Sequence, residues 1–305
     1  MLKIAYDSIY CHPLPKSPNG LPHRFPMLKY ELIPQQLIYE GTCSEENFFA
    51  PTFVEERWIL GVHTQNYWQD LKCLRLDPKM VRRIGFPLSE RLVERELCIT
   101  QGTIEGCHWA KEFGVAFNVA GGTHHAYADR GEGFCLLNDV AVASYYLLEN
   151  QLAQKILVVD LDVHQGNGTA VIFQNEPRVF TFSMHGKDNY PLHKETSDLD
   201  IALPTGTKDE EYLKILAETL PRLFEQHQPD FAFFISGVDI LATDKLGHLS
   251  ISLEGCRRRD EMVFEHCQHY QVPVVVSMGG GYSPRLADIV EAHCNTFRVA
   301  QKMYF

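Results

Sequence analysis

The sequence has no apolar stretch long enough to cross a bilayer, which takes about 20 consecutive apolar residues, so no membrane partner is expected. Residues 1–7 are too polar and too short for a signal peptide and are typical of a first strand. No Cys-x-x-Cys pair occurs, and the nine cysteines are scattered from Cys11 to Cys294. That pattern is typical of reduced core thiols, not of a disulfide framework or a thiolate zinc site. These absences predict a cytoplasmic protein.

Positive charge is also scarce. The chain has 28 Lys and Arg against 39 Asp and Glu, and its net charge is −11. Nucleic-acid binding requires a basic surface, so no nucleic-acid partner is expected. An acidic chain is compatible with a cationic substrate such as a lysine side chain, although many unrelated cytosolic proteins are equally acidic.

Repeats, low-complexity tracts and Ser/Gly linkers are absent, which favours one domain over residues 1–305. Apolar runs alternate with amphipathic segments, and this alternation predicts an α/β fold: a mainly parallel central sheet with helices on both faces, in three layers. The predicted strands are 115–119, 156–160, 178–183, 231–236 and 273–278. The predicted helices are 27–39, 89–112, 137–152, 168–174, 208–227, 255–269 and 284–301. Ser283-Pro284 is the expected N-cap and first residue of the last helix, and the Pro-rich loop 11–26 is a candidate lid.

Polar residues follow four of the predicted strands at the point where each strand ends. The run Asp160-Leu-Asp-Val-His-Gln-Gly-Asn-Gly168 comes directly after an apolar strand, with two carboxylates and an imidazole at alternate positions. The other three ends carry Gly121-Gly-Thr-His-His-Ala126, Gly237-Val-Asp239 and Gly279-Gly-Gly-Tyr282. Open α/β sheets bind ligands at the carboxyl ends of their strands, so the four ends predict a single site.

Asp162, His164 and Asp239 form a candidate metal-binding set of two oxygens and one nitrogen. Catalytic zinc sites use three protein ligands and leave a position for water or substrate, and Fe(II) or another divalent ion also suits such donors. Each residue has an ordinary alternative. The two aspartates could cap helices, and His164 could be a buried histidine with satisfied hydrogen bonds.

His124, His125 and Tyr282 are candidates for the chemistry beside such a metal. Two adjacent imidazoles can serve as general base and electrostatic partner for a bound water, although a His-His pair is more often a surface loop. A tyrosine after three glycines can bring its phenol to a developing oxyanion. The glycine run lacks the Lys-Ser/Thr of a P-loop and the spacing of a dinucleotide fingerprint, which argues against phosphate binding.

Five ordered motifs resemble the zinc-dependent histone deacetylase family over nearly the whole chain. They are Gly121-Gly-Thr-His-His-Ala126, Gly133-Phe-Cys-Leu-Leu-Asn-Asp139, Asp160-x-Asp-x-His-Gln-Gly-Asn-Gly168, Ser236-Gly-Val-Asp239 with Asp244-Lys-Leu-Gly247, and Gly279-Gly-Gly-Tyr282. The form His-Gln-Gly-Asn-Gly, the compact length and Arg24-Phe-Pro-Met-Leu-Lys29 look most like the class IV branch and its bacterial relatives. The fold of the family, the arginase-like α/β sheet, agrees with the predicted strands.

The resemblance implies a role for each matching position. Asp162, His164 and Asp239 match zinc ligands, and His125 matches the general base and acid. His124 matches a second imidazole held by the carboxylate at Asp160, and Tyr282 matches the phenol that polarises the amide carbonyl. The positions that match walls of an acyl-lysine tunnel are Gly133, Phe134, Tyr190 and Leu246. The positions that match a structural potassium site are Asp160, Asp162, His164, Ser183 and Met184. Arg24 matches an arginine beside an internal cavity through which acetate leaves.

Asn167 stands where some relatives have an aspartate as the partner of the histidine that matches His125. An amide orients the ring but stabilises an imidazolium less than a carboxylate does. We therefore expect Asn167 to help keep His125 neutral near pH 7.

The resemblance implies zinc-dependent hydrolysis of Nε-acyl-lysine amides of proteins or peptides, with acetyl or a longer acyl chain as the group removed. Two alternatives stay open from the sequence. One is a hydrolase of acetylpolyamines or other small acylated amines, and the second is a non-catalytic protein that binds acyl-lysine.

Overall fold

The structure, a computed structural model, describes residues 1–16, 20 and 23–305. Within these residues a single eight-stranded sheet forms the centre, and every adjacent pair of its strands is parallel. The strands are β1 (Lys3–Ala5), β2 (Phe48–Phe49), β3 (Val115–Asn118), β4 (Ile156–Asp160), β5 (Val179–Gly186), β6 (Leu199–Leu203), β7 (Phe231–Ile235) and β8 (Val274–Ser277). Their order across the sheet is β2-β1-β3-β8-β7-β4-β5-β6. The predicted parallel α/β sheet is confirmed, whereas part of the candidate lid 11–26 lies outside the described residues.

Helices flank the sheet in a three-layer arrangement. They are α1 (Lys29–Tyr39), α2 (Glu56–Leu60), α3 (Gln65–Lys72), α4 (Pro78–Ile84), α5 (Glu90–Phe113), α6 (Asp139–Glu149), α7 (Asn167–Phe173), α8 (Asp209–His227), α9 (Leu253–His269) and α10 (Leu286–Tyr304). Short 3-10 helices occur at Ser8–Tyr10 and Glu45–Asn47. Among the helices of the described residues, none combines the length and the apolar character that a membrane crossing needs.

The last helix begins later than the sequence predicts. Ser283 and Pro284 precede α10, whose N-cap is Arg285 and which has no side-chain cap. The Ser283 hydroxyl instead lies 2.8 Å from the Thr243 hydroxyl. The Ser283 side chain, which local propensity favours as an N-cap, therefore forms a tertiary hydrogen bond and does not cap the helix.

The four polar strand ends belong to neighbouring strands at the centre of the sheet. β3, β8, β7 and β4 are adjacent in that order, and every residue of these four strands is buried. Burial on both faces explains why their sequences are continuous apolar runs. Their parallel alignment brings the residues that follow them to one edge of the sheet.

Arg259 of α9 donates hydrogen bonds to the backbone at this edge of the sheet. Its side chain is fully buried, pairs with Asp260 at 2.7 Å, and donates to the carbonyls of Gly237 and Leu161. Those carbonyls belong to the segments that follow β7 and β4. One guanidinium thus joins the two chain segments that carry Asp162 and Asp239.

We expect Arg259→Met to lower the free energy of unfolding by about 3–5 kcal/mol, because it leaves a buried carboxylate without its cation. Arg258 is a matched control on the same helix: it is partly exposed and pairs with the partly exposed Glu261 and Glu265. Arg258→Met should cost at most about 1 kcal/mol. Urea unfolding of the three proteins measures both values, and equal losses for the two variants would contradict the supporting role of Arg259.

Candidate active site

Three buried side chains converge where β4 and β7 end. Asp162 and His164 follow β4, Asp239 follows β7, and one ligand atom from each lies within 4.8 Å of the others. His164 Nδ1 is 3.0 Å from Asp162 Oδ1 and 3.1 Å from Asp239 Oδ2. The structure thus brings the three predicted ligands together as one set of donor atoms.

Backbone amides hold both carboxylates in place. The Gly280 N–H donates to Asp162 Oδ2 at 2.7 Å, and the Val163 N–H donates to Asp239 Oδ1 at 2.9 Å. A Cβ on Gly280 would lie 1.8 Å from Asp239 Oδ2, so only glycine allows this approach. Each aspartate therefore has one oxygen fixed by the backbone and the other facing His164.

The charges of this set suit a divalent cation. Burial lowers the pKa of His164, but the hydrogen bonds and charges of Asp162 and Asp239 raise it to about 10. Burial and the charge of Asp162 raise the pKa of Asp239 to about 7. Two buried carboxylates that hold a proton on the imidazole between them are the environment in which a cation replaces that proton. The oxygen and nitrogen donors fit zinc and also Fe(II).

His124 lies beside this set and pairs with Asp160. Its Nδ1 donates to Asp160 Oδ2 at 2.7 Å, and both residues are buried. Burial lowers the pKa of His124, but the Asp160 carboxylate more than offsets this and raises it to about 9. His124 is therefore an imidazolium at neutral pH.

His125 is held by a chain of hydrogen bonds that fixes its tautomer. Tyr127 donates its hydroxyl proton to Glu195 at 3.0 Å and accepts from the Asn167 side-chain N–H at 2.9 Å. The amide of Asn167 therefore presents its oxygen to His125 Nδ1, at 2.7 Å. Because this oxygen only accepts, Nδ1 carries the proton and Nε2 keeps a free lone pair.

The neutral state expected for His125 is caused by burial and by neighbouring charges, not by the hydrogen bond to Asn167. Burial lowers the pKa of His125 well below its ordinary value, and the charges of His124 and His164 lower it further. The hydrogen bond to Asn167 acts in the opposite direction. The two adjacent histidines thus have opposite pKa shifts, a pattern that enzymes use to separate a base from a charged partner.

An outer cavity leads from the surface to these groups. Its lining includes His125, His164 and Tyr282, and also all four predicted tunnel residues: Gly133, Phe134, Tyr190 and Leu246. The Tyr190 ring meets the His125 ring edge to face at 5.0 Å between centroids, and the Tyr282 ring lies 6.3 Å from that of His164. Burial and the charges of Asp239 and Asp162 raise the pKa of Tyr282 well above its ordinary value, so its phenol stays protonated as a donor.

Gly133 and Phe134 form one wall of this cavity in an unusual backbone conformation. Both have positive φ, 52° and 69°, and the Phe134 N–H donates to the Ile84 carbonyl at 2.7 Å. A Cβ on residue 133 would lie 2.6 Å from His125 Cδ2. A left-handed phenylalanine is uncommon and is kept only where the surroundings impose it, as they do at many functional sites.

The residues predicted to bind potassium lie on two adjacent strands, β4 and β5, and in the segment that follows β4. Asp160 at the end of β4 is directly opposite Ser183 of β5 in the sheet register, and Met184 follows it. Ser183 and Met184 are both buried, as are Asp160, Asp162 and His164. This proximity fits a site built from backbone carbonyls and one carboxylate, the oxygen donors that hard cations prefer.

Arg24 lies elsewhere than the resemblance implies. An inner cavity extends behind the site, and its lining includes Phe25, Tyr30, Arg95, Ile99 and Cys135. The arginine in this lining is Arg95, which is buried, whereas Arg24 is exposed and lines the outer cavity. Phe25 occupies the inner wall, and the neighbouring Arg24 is directed outward, with its guanidinium 4.8 Å from the centre of the Phe134 ring.

The Histone deacetylase domain family matches residues 23–297, most of the chain. The chain belongs to the histone deacetylase family. A similar protein is an uncharacterized protein of Picosynechococcus sp., 42% identical over 301 residues that cover 99% of each chain. Histone deacetylase 2 of Arabidopsis thaliana is 30% identical over 278 residues, which cover 88% of this chain and 72% of the relative.

The fold of this histone deacetylase-family chain also matches solved structures. The crystal structure of the HDA15 HD domain superimposes with a TM-score of 0.83 at 20% identity, over 99% of this chain and 88% of that one. At this identity the likeness concerns the fold, and it agrees with the parallel sheet described above.

Lys29 is a residue of this histone deacetylase-family site that the sequence analysis missed. It is fully buried at the start of α1, and its ammonium donates to the Gly279 carbonyl at 2.9 Å. Burial lowers its pKa to about 8, although Asp239, Asp162 and Asp244 favour the charged form. Lys29, Ile33 and Leu37 are all buried on one helical face, and this spacing is the signal that marks Lys29 as an inward-facing lysine.

We expect zinc uptake to release protons, because the pKa of about 10 for His164 leaves it protonated at pH 8 while a metal needs its lone pair. Calorimetric titration at pH 8 in buffers of different ionisation enthalpy should show about one proton released per ion. Affinity should fall as pH is lowered.

The control is His269→Gln, which removes an exposed histidine of α9 and should leave this release unchanged. Binding heats that do not depend on the buffer would contradict the protonated state of His164.

Proposed function

We propose that the chain is a zinc-dependent hydrolase of Nε-acyl-lysine amides, with one catalytic domain over residues 1–305. The observation that supports this most strongly is the content of the outer cavity. Its apolar walls, Phe134 and Leu246, lead to three polar groups. These are the candidate metal ligand His164, the neutral imidazole of His125 and the protonated phenol of Tyr282. An apolar passage suits the methylene stem of lysine, and the polar groups suit the amide at its end.

Zinc bound by Asp162, His164 and Asp239 would act as a Lewis acid on the amide carbonyl and lower the pKa of water. The chain's own residues handle the protons. His125 Nε2, free because Nδ1 is bonded to Asn167, accepts a proton from the attacking water. His125 then gives this proton to the lysine nitrogen as the C–N bond breaks, so that one water is consumed and the base is restored.

Two further side chains stabilise the charge that develops in this reaction. Tyr282 remains protonated and donates a hydrogen bond to the carbonyl oxygen as it becomes negative. His124, kept positive by Asp160, places a fixed charge beside the same centre. We propose that a potassium ion bound at the carbonyls around Asp160 and Ser183 stiffens this edge.

We also propose the branch of the family, class IV and its bacterial relatives, and an acyl group that is acetyl or longer. The motif at residues 164–168 favours class IV and its bacterial relatives, in a cytoplasmic setting. The inner cavity offers space beyond the amide, lined by Phe25, Tyr30 and Ile99 among others. The cavity has a volume of about 40 Å³, which suits acetate, and its apolar side chains also suit the hydrocarbon of a longer acyl chain.

A panel of substrates tests the proposal. The zinc-loaded protein is assayed on lysine peptides with acyl chains from acetyl to myristoyl and on acetylated polyamines. We expect the highest kcat/KM on a peptide. Higher values on polyamines would indicate a small-molecule amidohydrolase, and a protein that binds acyl-lysine without turnover would be a binding protein.

We expect Tyr282→Phe to lower kcat by about 100- to 1000-fold, because it removes a donor to the oxyanion. Zinc content should stay the same, since the phenol is outside the ligand set. Tyr39→Phe, a change at an exposed tyrosine of α1, is the matched control and should keep wild-type turnover. A Tyr282→Phe enzyme with unchanged kcat would remove Tyr282 from the chemistry.

The pH dependence tests the Asn167–His125 pair. A carboxylate at residue 167 raises the pKa of His125, and the base form exists only above that pKa. Asn167→Asp should therefore move the acidic limb of the pH–rate profile upward, by about 1–3 pH units. Asn150→Asp adds the same charge at the exposed end of α6 and should leave the limb in place. An unmoved limb in Asn167→Asp would contradict the role given to Asn167.

A further inference from the structure

Two arginines line the entrance of the outer cavity, and neither has a role in the chemistry above. Arg24 comes from the loop before α1 and Arg83 from the last turn of α4, and both side chains are exposed. Among the described residues that line this cavity, none carries a carboxylate. The entrance therefore has two positive charges with no negative group in its wall.

The fold places both arginines against the tunnel wall. The Arg83 carbonyl accepts from the Gly133 N–H at 3.0 Å, and the next pair in the same ladder joins Ile84 to Phe134. The Arg24 guanidinium lies over the other component of this wall, 4.8 Å from the centre of the Phe134 ring. The Arg24 charge thus lies over the wall itself, whereas Arg83 is joined to the wall by its backbone and also lines the cavity.

Nearby carboxylates are occupied elsewhere. Glu132 pairs with Arg130 at 2.9 Å and also accepts from the Tyr190 hydroxyl. Asp244 accepts the N–H groups of Leu246 and Gly247 at 2.8 and 2.9 Å. Across the described part of the chain, no carboxylate forms an ion pair with Arg24 or Arg83.

We infer that Arg24 and Arg83 select acyl-lysine substrates that carry a carboxylate close to the acylated lysine. The inference rests on the proposed function, because the acyl-lysine must occupy the outer cavity. A guanidinium presents paired N–H donors that match a carboxylate, and it repels the ammonium groups of a polyamine or a lysine-rich peptide. The carboxylate can be an acidic side chain beside the lysine or the α-carboxylate of a free acyl-lysine.

The test compares substrates that differ only in charge. Three blocked peptides carry the acylated lysine between two glutamates, two glutamines or two lysines. Two further substrates are free acyl-lysine and its amide. We expect kcat/KM to be about three- to tenfold higher with glutamate than with glutamine, the range of two exposed charge interactions. The advantage should shrink as salt is raised, because exposed charges are screened.

Substitutions of Arg24 and Arg83 test whether these two residues cause the preference for glutamate. In Arg24→Gln/Arg83→Gln the glutamate-to-glutamine ratio should fall to about one, and in Arg83→Glu it should invert. Arg82→Gln is the matched control: Arg82 is exposed on the same turn of α4 but does not line the cavity, so its ratio should equal the wild-type ratio. A preference confined to free acyl-lysine, if the double variant loses it, supports the inference and identifies the α-carboxylate as its source.

Two results overturn the inference. One is a wild-type protein that favours neither carboxylate-bearing probe, and the other is a preference that survives in the double variant. Failure of the proposed function is a separate result, namely no turnover of any peptide. In that case fluorescence anisotropy with the same peptides and zinc-loaded protein decides the inference: tighter binding of the glutamate peptide, lost in the double variant, supports it, and equal binding overturns it.

Discussion

Asp160, Asp162 and Asp239 bring three buried carboxylates to the ends of two adjacent strands. Buried charge of this density is costly unless cations and hydrogen-bond donors surround it. Much of the surrounding structure supplies those partners: the imidazoles of His124 and His164, the ammonium of Lys29, and the N–H groups of Val163 and Gly280. The glycine run after β8 and the buried Lys29 at the start of α1 belong to this compensation, whereas Tyr30 and Ile33 of the same helix pack in the apolar core.

The surroundings of these carboxylates also give the two adjacent histidines, His124 and His125, different protonation states. His124 lies against Asp160 and becomes a cation, whereas burial and two neighbouring positive rings lower the pKa of His125, so it stays neutral. Neither state is a property of the dipeptide itself. It follows from the side chain that each ring faces, Asp160 or Asn167. Tyr127 and Glu195 fix the orientation of the Asn167 amide in turn.

The sequence was a good guide to elements whose signal is local. Buried central strands such as β4 and β7 are continuous apolar runs, and the motifs after them predicted the composition of the site. β2 and β6 were missed because both are edge strands, the first only two residues long and the second partly exposed. Lys29 was missed because its partner, Gly279, is 250 residues away. The expected position of Arg24 was inferred from a motif, and the motif does not encode that its neighbour Phe25 takes the inner wall.

Net charge and local charge favour opposite substrates for this chain. A net charge of −11 suggests attraction of a cationic substrate, while the entrance to the outer cavity presents Arg24 and Arg83. Screening decides between them, because charges farther than about 8 Å contribute little at physiological ionic strength. A substrate at the entrance therefore responds to the two guanidinium groups within reach and hardly to acidic residues on remote helices. For this reason the total charge of the protein is a poor guide to its substrate, and the residues that line the entrance are the better one.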